Sequence, residues 1–85
     1  MGFTFNFPKN KRAAEATLDA QLAKCQEELN EVLAARNELD DSATINELMD
    51  LACAVENAIR KFRKMEWTLA YEVCISKGNK RKDWL

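Results

Sequence analysis

Acidic residues are concentrated in two short stretches of this chain, and their side chains are the ones best suited to chemistry. The residues are Glu27, Glu28 and Glu31 in QEELNEV, followed by Glu47 and Asp50 in ELMD. Like charges three or four positions apart on a helix repel each other by about 0.2–0.5 kcal/mol per pair. Such a cluster becomes favourable when a positive charge lies among the carboxylates.

The chain contains no histidine, which narrows the possible chemistry. Ser-His and Cys-His catalysis are excluded, catalytic zinc is disfavoured, and the Glu-x-x-His motif of four-helix di-iron proteins is absent. A ligand set made of carboxylates alone suits a hard cation, most simply Mg²⁺ or also Mn²⁺. The alternative is a solvent-exposed acidic face, in which Lys24 pairs with Glu28 four positions later.

Length and composition predict an all-α protein. The chain has 85 residues, of which 47% are apolar, with two glycines and one proline, so we expect one small helical domain over residues 1–85. The net charge of -1 predicts no nucleic-acid partner. No apolar run approaches the roughly 18 residues of a membrane span. We read the three cysteines as reduced core residues and expect a cytoplasmic protein.

The periodicity of apolar residues predicts a helical hairpin followed by a short third helix. We expect a first helix over residues 11–38 with Asn10 as its N-cap, and a second helix that begins near Thr44 with Thr44 as its N-cap. The third helix contains Trp67 and ends at Gly78. An N-terminal arm over residues 1–9 and a basic tail over residues 77–85 flank these helices.

The predicted hairpin positions the acidic stretches. The chain reverses near residue 40, and residue 31 is about as far before this turn as residues 47–50 are after it. The two acidic stretches therefore face each other across the hairpin. Apolar positions cover about half the circumference of the second helix, which is more than one partner helix can bury. We therefore expect a homodimer or tetramer in which hairpins associate into a four-helix-bundle core.

The acidic motifs, taken in order, resemble those of the MazG-like family of all-α nucleoside triphosphate pyrophosphohydrolases, which is related to the dimeric dUTPases and to HisE. The family pattern is E-E-x-x-E followed, after one to two dozen residues, by E-x-x-D. Here Glu27-Glu28-x-x-Glu31 precedes Glu47-x-x-Asp50 by fifteen residues. The resemblance covers roughly residues 15–82. Compact family members are often carried by phages, so a phage origin is a further expectation.

The resemblance implies Mg²⁺-dependent cleavage of a (d)NTP between its α- and β-phosphates, which yields a (d)NMP and pyrophosphate. It implies metal ligation by the five acidic residues Glu27, Glu28, Glu31, Glu47 and Asp50. One of the first three, with Glu28 a candidate, would instead act as the general base. The implied substrate-binding residues are Asn57, Lys77, Asn79, Lys80 and Arg81.

Other interpretations of the same residues remain open. Lys77, Lys80 and Arg81 could form a solvated tail, and Asn57 could be a satisfied interface residue. Trp67 and Tyr71 fit a core better than a base-stacking site. At the level of the whole chain, the alternatives are a helical-hairpin interaction or regulatory protein, and a degenerate family member that binds nucleotides without hydrolysing them.

Overall fold

The computed structural model describes residues 5–85, and this part of the chain contains four α-helices and no β-strand. The helices are α1 (Lys11–Glu15), α2 (Leu18–Asn37), α3 (Asp41–Ile59) and α4 (Lys64–Arg81). The all-α prediction is confirmed. The main packing is between α2 and α3, which form the predicted hairpin, and α1 lies against α3.

The prediction of one continuous helix over residues 11–38 is wrong, because the chain breaks between α1 and α2. Asn10 caps α1 as predicted, with its Oδ1 accepting from the Ala13 amide at 3.1 Å. Thr17 then adopts an extended backbone, and its hydroxyl accepts from the Ala20 amide. A threonine at this position starts a new helix by taking up one of its unpaired amides. The break turns α1 toward α3.

The second hairpin helix begins four residues earlier than predicted. Its N-cap is Asp40, whose Oδ1 accepts from the Ala43 amide at 2.9 Å. Thr44, the predicted cap, lies inside α3, and its hydroxyl donates to the Asp40 carbonyl. Aspartate is at least as good an N-cap as threonine, and its charge also interacts favourably with the helix dipole. The connection between the helices is correspondingly short, with Leu39 in the left-handed region at φ 56°.

The last helix is longer than predicted and does not stop at Gly78. It continues to Arg81 and ends at Lys82, which has a left-handed conformation with φ 58°. Trp84 folds back so that its indole lies against Gly78, and its Nε1 donates to the Ile75 carbonyl at 3.1 Å. Glycine is therefore kept within the helix because the indole occupies the space of a side chain. The predicted basic tail is helical over its first half.

Residues 5–9 of the N-terminal arm lie against the end of α3. The Phe7 amide donates to Glu56 Oε1 at 3.2 Å, and the Arg60 guanidinium donates to the Phe7 carbonyl and to that same Glu56 oxygen. The rings of Phe5 and Phe7 stack with their centroids 5.6 Å apart. Phe3, the first of the three alternating phenylalanines, lies outside the described residues.

The buried apolar positions of the single chain are occupied by small residues, and no large side chain of residues 5–85 is completely buried. The buried apolar residues are Ala13, Val32, Ala35, Ala54 and Ala58. Larger apolar side chains are exposed on three helices: Leu22, Leu29 and Leu33 on α2, Ile45, Leu48, Val55 and Ile59 on α3, and Met65, Leu69, Tyr71 and Val73 on α4. The composition includes enough large apolar residues for a core, but the single chain does not bury them.

Two sequence interpretations of core residues need correction. Tyr71 is 68% exposed and is not a core residue of the single chain. Cys74 is exposed, whereas Cys25 and Cys53 are half-buried, and all three are free thiols. Across residues 5–85, none of the helices combines the length and apolar character that crossing a membrane requires.

Candidate functional site

The hairpin brings the two acidic stretches together, as predicted from their similar distances in sequence from the chain reversal. Glu28 on α2 and Glu47 and Asp50 on α3 each offer a carboxylate oxygen, and these oxygens all lie within 4.8 Å of one another. Glu28 is only 7% exposed, Glu47 is half-buried and Asp50 is exposed. The arrangement therefore has a buried end inside the hairpin and an open end toward solvent.

Gln21 helps to fix the relative position of the two helices beside this site. Its side chain is buried, and its Nε2 donates to the Ala54 carbonyl of α3 at 3.0 Å. Asp50 lies one helical turn before Ala54 on the same helix. A shift of α2 along α3 would leave the buried amide without an acceptor, which is unfavourable.

Glu31 belongs to the same cluster. Its pKa is raised, first because its side chain hydrogen-bonds to that of Glu28 and because Glu28 is negatively charged, with Glu47 contributing in the same way. We call Glu28, Glu31, Glu47 and Asp50 the acidic cluster.

Two oxygens of the acidic cluster are buried without a hydrogen-bond donor. They are Oε2 of Glu28 and Oε2 of Glu47, neither of which has a partner in the described part of the chain. The other oxygen of Glu28 lies 3.0 Å from Lys24 Nζ. A buried carboxylate oxygen without a donor is costly, and a coordinated cation is one way to satisfy it. The donor set consists of hard oxygen atoms only, so these residues fit Mg²⁺ or Mn²⁺.

Glu27 is separated from this cluster. Its side chain is 61% exposed, and its Oε1 lies 3.6 Å from Lys24 Nζ. Lys24 thus contacts both Glu27 and Glu28, and the hydrogen bond to Glu28 is the main reason why the pKa of its ammonium is raised. Of the five predicted metal ligands, the fold brings four together and leaves Glu27 beside them.

A cavity of about 460 Å³ opens next to the acidic cluster, between α1, α2 and α3. Glu28 and Asp50 contribute to its wall, together with the cationic side chains of Arg12 and Lys24 and the buried amide of Asn57. The volume is within the usual range for small-molecule sites, about 300–1,000 Å³. Negative and positive groups on one wall are the combination that a metal-bound phosphate chain requires.

Two cationic residues that line this cavity, Arg12 and Lys24, are not among the site residues predicted from the sequence. Arg12 lies on α1, and it lines the cavity because α1 breaks away from α2, which the predicted continuous helix did not allow. The sequence predicts Lys24 only as the side chain that pairs with Glu28 on a solvent-exposed acidic face. Its spacing of four from Glu28 was a usable signal, since it places the ammonium on the face that carries the acidic cluster.

Asn57, one of the predicted substrate-binding residues, lines this cavity. It is 7% exposed, and its Oδ1 accepts from Arg60 at 3.3 Å while its Nδ2 lies 3.6 Å from Cys53 Sγ. The remaining predicted substrate-binding residues are exposed on α4 and are not among the residues that line this cavity. They are Lys77, Asn79, Lys80 and Arg81. Comparisons of the chain with protein-family models, with curated proteins and with solved structures found no match.

Proposed function

We propose that this protein is a Mg²⁺-dependent nucleoside triphosphate pyrophosphohydrolase, which converts a (d)NTP to a (d)NMP and pyrophosphate. The observation that carries the proposal is the acidic cluster, whose two unpartnered oxygens lie beside a cavity with cationic side chains. The resemblance of the two acidic motifs to those of the MazG-like family supports the same activity. The bond that is cleaved is implied by the resemblance alone.

Glu28, Glu47 and Asp50, whose carboxylate oxygens lie within 4.8 Å of one another, are the residues that would hold the metal ion, and Glu31 lies beside them as the general base. When bound, a divalent ion at this position supplies charge neutralisation for the phosphate oxygens and lowers the pKa of a coordinated water. Glu27 is adjacent to this set, and its contact with Lys24 suggests that it holds the ammonium in place. This assignment changes the role of Glu27 from ligand to positioning residue.

The protein side chains then have three tasks in the hydrolysis. Glu31, whose raised pKa makes it a stronger base than an ordinary glutamate, takes the proton from the attacking water. The water oxygen forms a bond to the α-phosphorus, and the bond to the bridging oxygen breaks, so that pyrophosphate leaves. Arg12 and Lys24 donate hydrogen bonds to phosphate oxygens, and Asn57 contacts the sugar or base.

We also propose that the protein is a homo-oligomer, with a dimer as the smallest form. Each hairpin exposes apolar side chains on both helices, and pairing of two hairpins would bury them in a four-helix bundle. The basic residues near the end of α4 do not line the cavity of their own chain. Lys77, Asn79, Lys80 and Arg81 could therefore contact substrate only at the site of a neighbouring subunit.

The exposed apolar residues also favour a second candidate, a helical-hairpin protein that binds another protein and acts as a regulator. Met65, Leu69 and Val73 of α4 are exposed in a single chain and suit such a partner. A family member that binds nucleotides without hydrolysis would lie between the two candidates. The acidic cluster distinguishes them, because a regulator has no need for carboxylate oxygens that are buried and unpartnered.

The decisive variants are Glu31→Gln and Asp50→Asn, each of which removes one charge at nearly constant shape. In an enzyme, each should reduce pyrophosphate release by about 100-fold or more, since even outer-shell changes at metal sites cost about 10–100-fold. In a structural protein, the same changes relieve repulsion and should be neutral or slightly stabilising.

Glu38→Gln is the matched control, because Glu38 is exposed and lies outside the acidic cluster. Turnover and melting temperature are measured together for all three variants. Unchanged turnover in Glu31→Gln and Asp50→Asn would show that the acidic cluster is not catalytic. A parent protein that releases no pyrophosphate from any (d)NTP would favour the interaction protein.

A further inference from the structure

A second cavity, of about 350 Å³, lies between α1, the end of α3 and the start of α4. It shares Asn10, Ala13 and Asn57 with the first cavity, so the two spaces adjoin along one wall. The acidic cluster lies only on the side of the first cavity. A ligand with two chemically different halves could therefore occupy both spaces, with its middle next to Asn57.

Trp67 gives the second cavity a hydrogen-bond donor that the protein itself does not use. The side chain lines the cavity, and its Nε1 is buried without an acceptor anywhere in residues 5–85. An indole N–H can only donate, and a buried donor without an acceptor is unfavourable. A ligand atom that accepts this hydrogen bond would complete the site, and the indole face adds a surface for a planar ring.

Two of the three cationic residues that line this cavity, Arg60 and Lys61, are engaged with protein groups, and the third, Lys9, is exposed to solvent. Arg60 donates to Glu56 Oε1 and to the Phe7 carbonyl, and Lys61 donates to the Ala13 and Ala16 carbonyls. Their charges thus hold the arm and α1 in place and are not available to a phosphate. The part of the cavity lined by Asn57, Arg60, Lys61 and Trp67 therefore suits a neutral, planar heterocycle better than an anion.

We propose that the second cavity binds the nucleobase of the substrate, with Trp67 Nε1 donating to an acceptor atom on the edge of the base. This inference rests on the proposed function, which places the triphosphate at the acidic cluster. Asn57, at the junction of the two cavities, then contacts the sugar. Its Nδ2 donates one hydrogen to Cys53 Sγ, and its second hydrogen would donate to a sugar hydroxyl. Trp67 becomes a residue that determines which nucleotides are bound.

The chain has two tryptophans, Trp67 and Trp84, which permits a direct test by fluorescence. In Trp84→Phe, Trp67 is the only tryptophan, and Trp84 contacts α4 at Gly78, away from both cavities. The probes are free nucleosides, Mg²⁺ complexes of α,β-imido (d)NTP analogues, and inorganic tripolyphosphate with Mg²⁺. We expect nucleosides and analogues to change the emission of Trp67, and tripolyphosphate to leave it unchanged.

A second measurement gives the affinities by calorimetry. Trp67→Phe should weaken binding of the imido analogues by about tenfold or more, as expected for a lost base contact, and leave tripolyphosphate binding unchanged. Because Trp84→Phe retains Trp67, the fluorescence result does not depend on whether Trp67→Phe folds. Analogues that bind without changing Trp67 emission, or that bind Trp67→Phe as tightly as the parent, would overturn the inference.

Pyrophosphate release, measured on the same preparations, separates this inference from the proposed function. Hydrolysis of a (d)NTP with no change in Trp67 emission would retain the enzyme and reject the base site. A response to nucleosides without pyrophosphate release would retain the base site and reject the hydrolase. A protein that binds neither nucleosides nor analogues would contradict both.

Discussion

Glu31 is the residue of the acidic cluster whose protonation depends most on its neighbours. Its pKa is raised from the usual 4.5 by the hydrogen bond to Glu28 and by the charges of Glu28 and Glu47. The folded state thus holds this proton more tightly than the unfolded state does. The resulting stabilisation is complete below the unfolded pKa and is lost as the pH rises through the raised pKa of the folded state.

This difference predicts how stability depends on pH in the presence of a metal chelator. As the pH rises from about 4 to about 7, Glu31→Gln should gain stability relative to the parent, because it lacks the proton that the parent loses. Melting temperatures of both proteins across this range provide the measurement. Saturating Mg²⁺ should remove the parent's disadvantage, since an ion held by Glu28, Glu47 and Asp50 would neutralise the charges that raise the pKa of Glu31. A stability difference that is constant with pH would contradict the account of Glu31.

Spacing along the helices identified all residues of the acidic cluster, but it could not separate Glu27 from them. Neighbouring helical positions point about 100° apart, so Glu27 and Glu28 cannot both face α3. Which of the two does so depends on how the hairpin packs, and that depends on contacts between distant residues such as Gln21 and Ala54. The position of Arg12 in the cavity wall could not be predicted either, because it also depends on contacts between residues that are distant in sequence.

At the scale of single helices, the end of α4 depends on the absence of a side chain at Gly78. A Cβ built on this residue would lie 2.1 Å from two ring atoms of Trp84, so alanine must displace the indole. Alanine also favours the helix by about 0.8–1.0 kcal/mol relative to glycine. We therefore expect Gly78→Ala to keep or raise the melting temperature while Trp84 moves into solvent.

The measurement for Gly78→Ala is the emission spectrum in a Trp67→Phe background, where Trp84 is the only tryptophan. The emission maximum should shift to longer wavelength relative to Trp67→Phe alone. Ser76→Ala is a suitable control, since it also introduces alanine next to this site on an exposed position. An unchanged spectrum in Gly78→Ala would show that the indole does not lie against the helix.

Helix boundaries were the weakest part of the sequence analysis, and each error has a local cause. Apolar periodicity continues across Thr17, and only the cap formed by its hydroxyl reveals the break. Asp40 and Thr44 are both acceptable caps, and the stronger one begins the helix. A glycine near the end of a helical pattern predicts a helix end, and the reason why Gly78 is instead inside α4 is its contact with Trp84, a residue outside the helix. The existence and order of the main helices required none of these details.

At the scale of the whole molecule, most large apolar side chains of residues 5–85 are exposed in the single chain. Its buried apolar positions hold four alanines and one valine. Burial of apolar surface is the main favourable term in folding, at about 25 cal/mol per Å². We propose that another copy covers the exposed leucines, isoleucines and valines of α2 and α3.

The predicted outcome is a well-folded species of at least twice the mass of one chain in light scattering at micromolar concentration. Leu48→Asp places a charge on the exposed apolar face of α3 and should reduce both the measured mass and the melting temperature. Asn46→Asp introduces the same charge at a neighbouring exposed polar position and should change neither. A monodisperse, stably folded monomer of the parent would rule out the proposed assembly.

The central claim is that the acidic cluster supports hydrolysis of a nucleoside triphosphate between its α- and β-phosphates. The most direct measurement is phosphorus NMR of each (d)NTP incubated with the protein, with Mg²⁺ and with a chelator in its place. The account predicts that the resonances of pyrophosphate and of the nucleoside monophosphate appear together, in equal amounts, and only with Mg²⁺. Spectra that remain unchanged for every nucleotide, or that show orthophosphate with a nucleoside diphosphate, would contradict it.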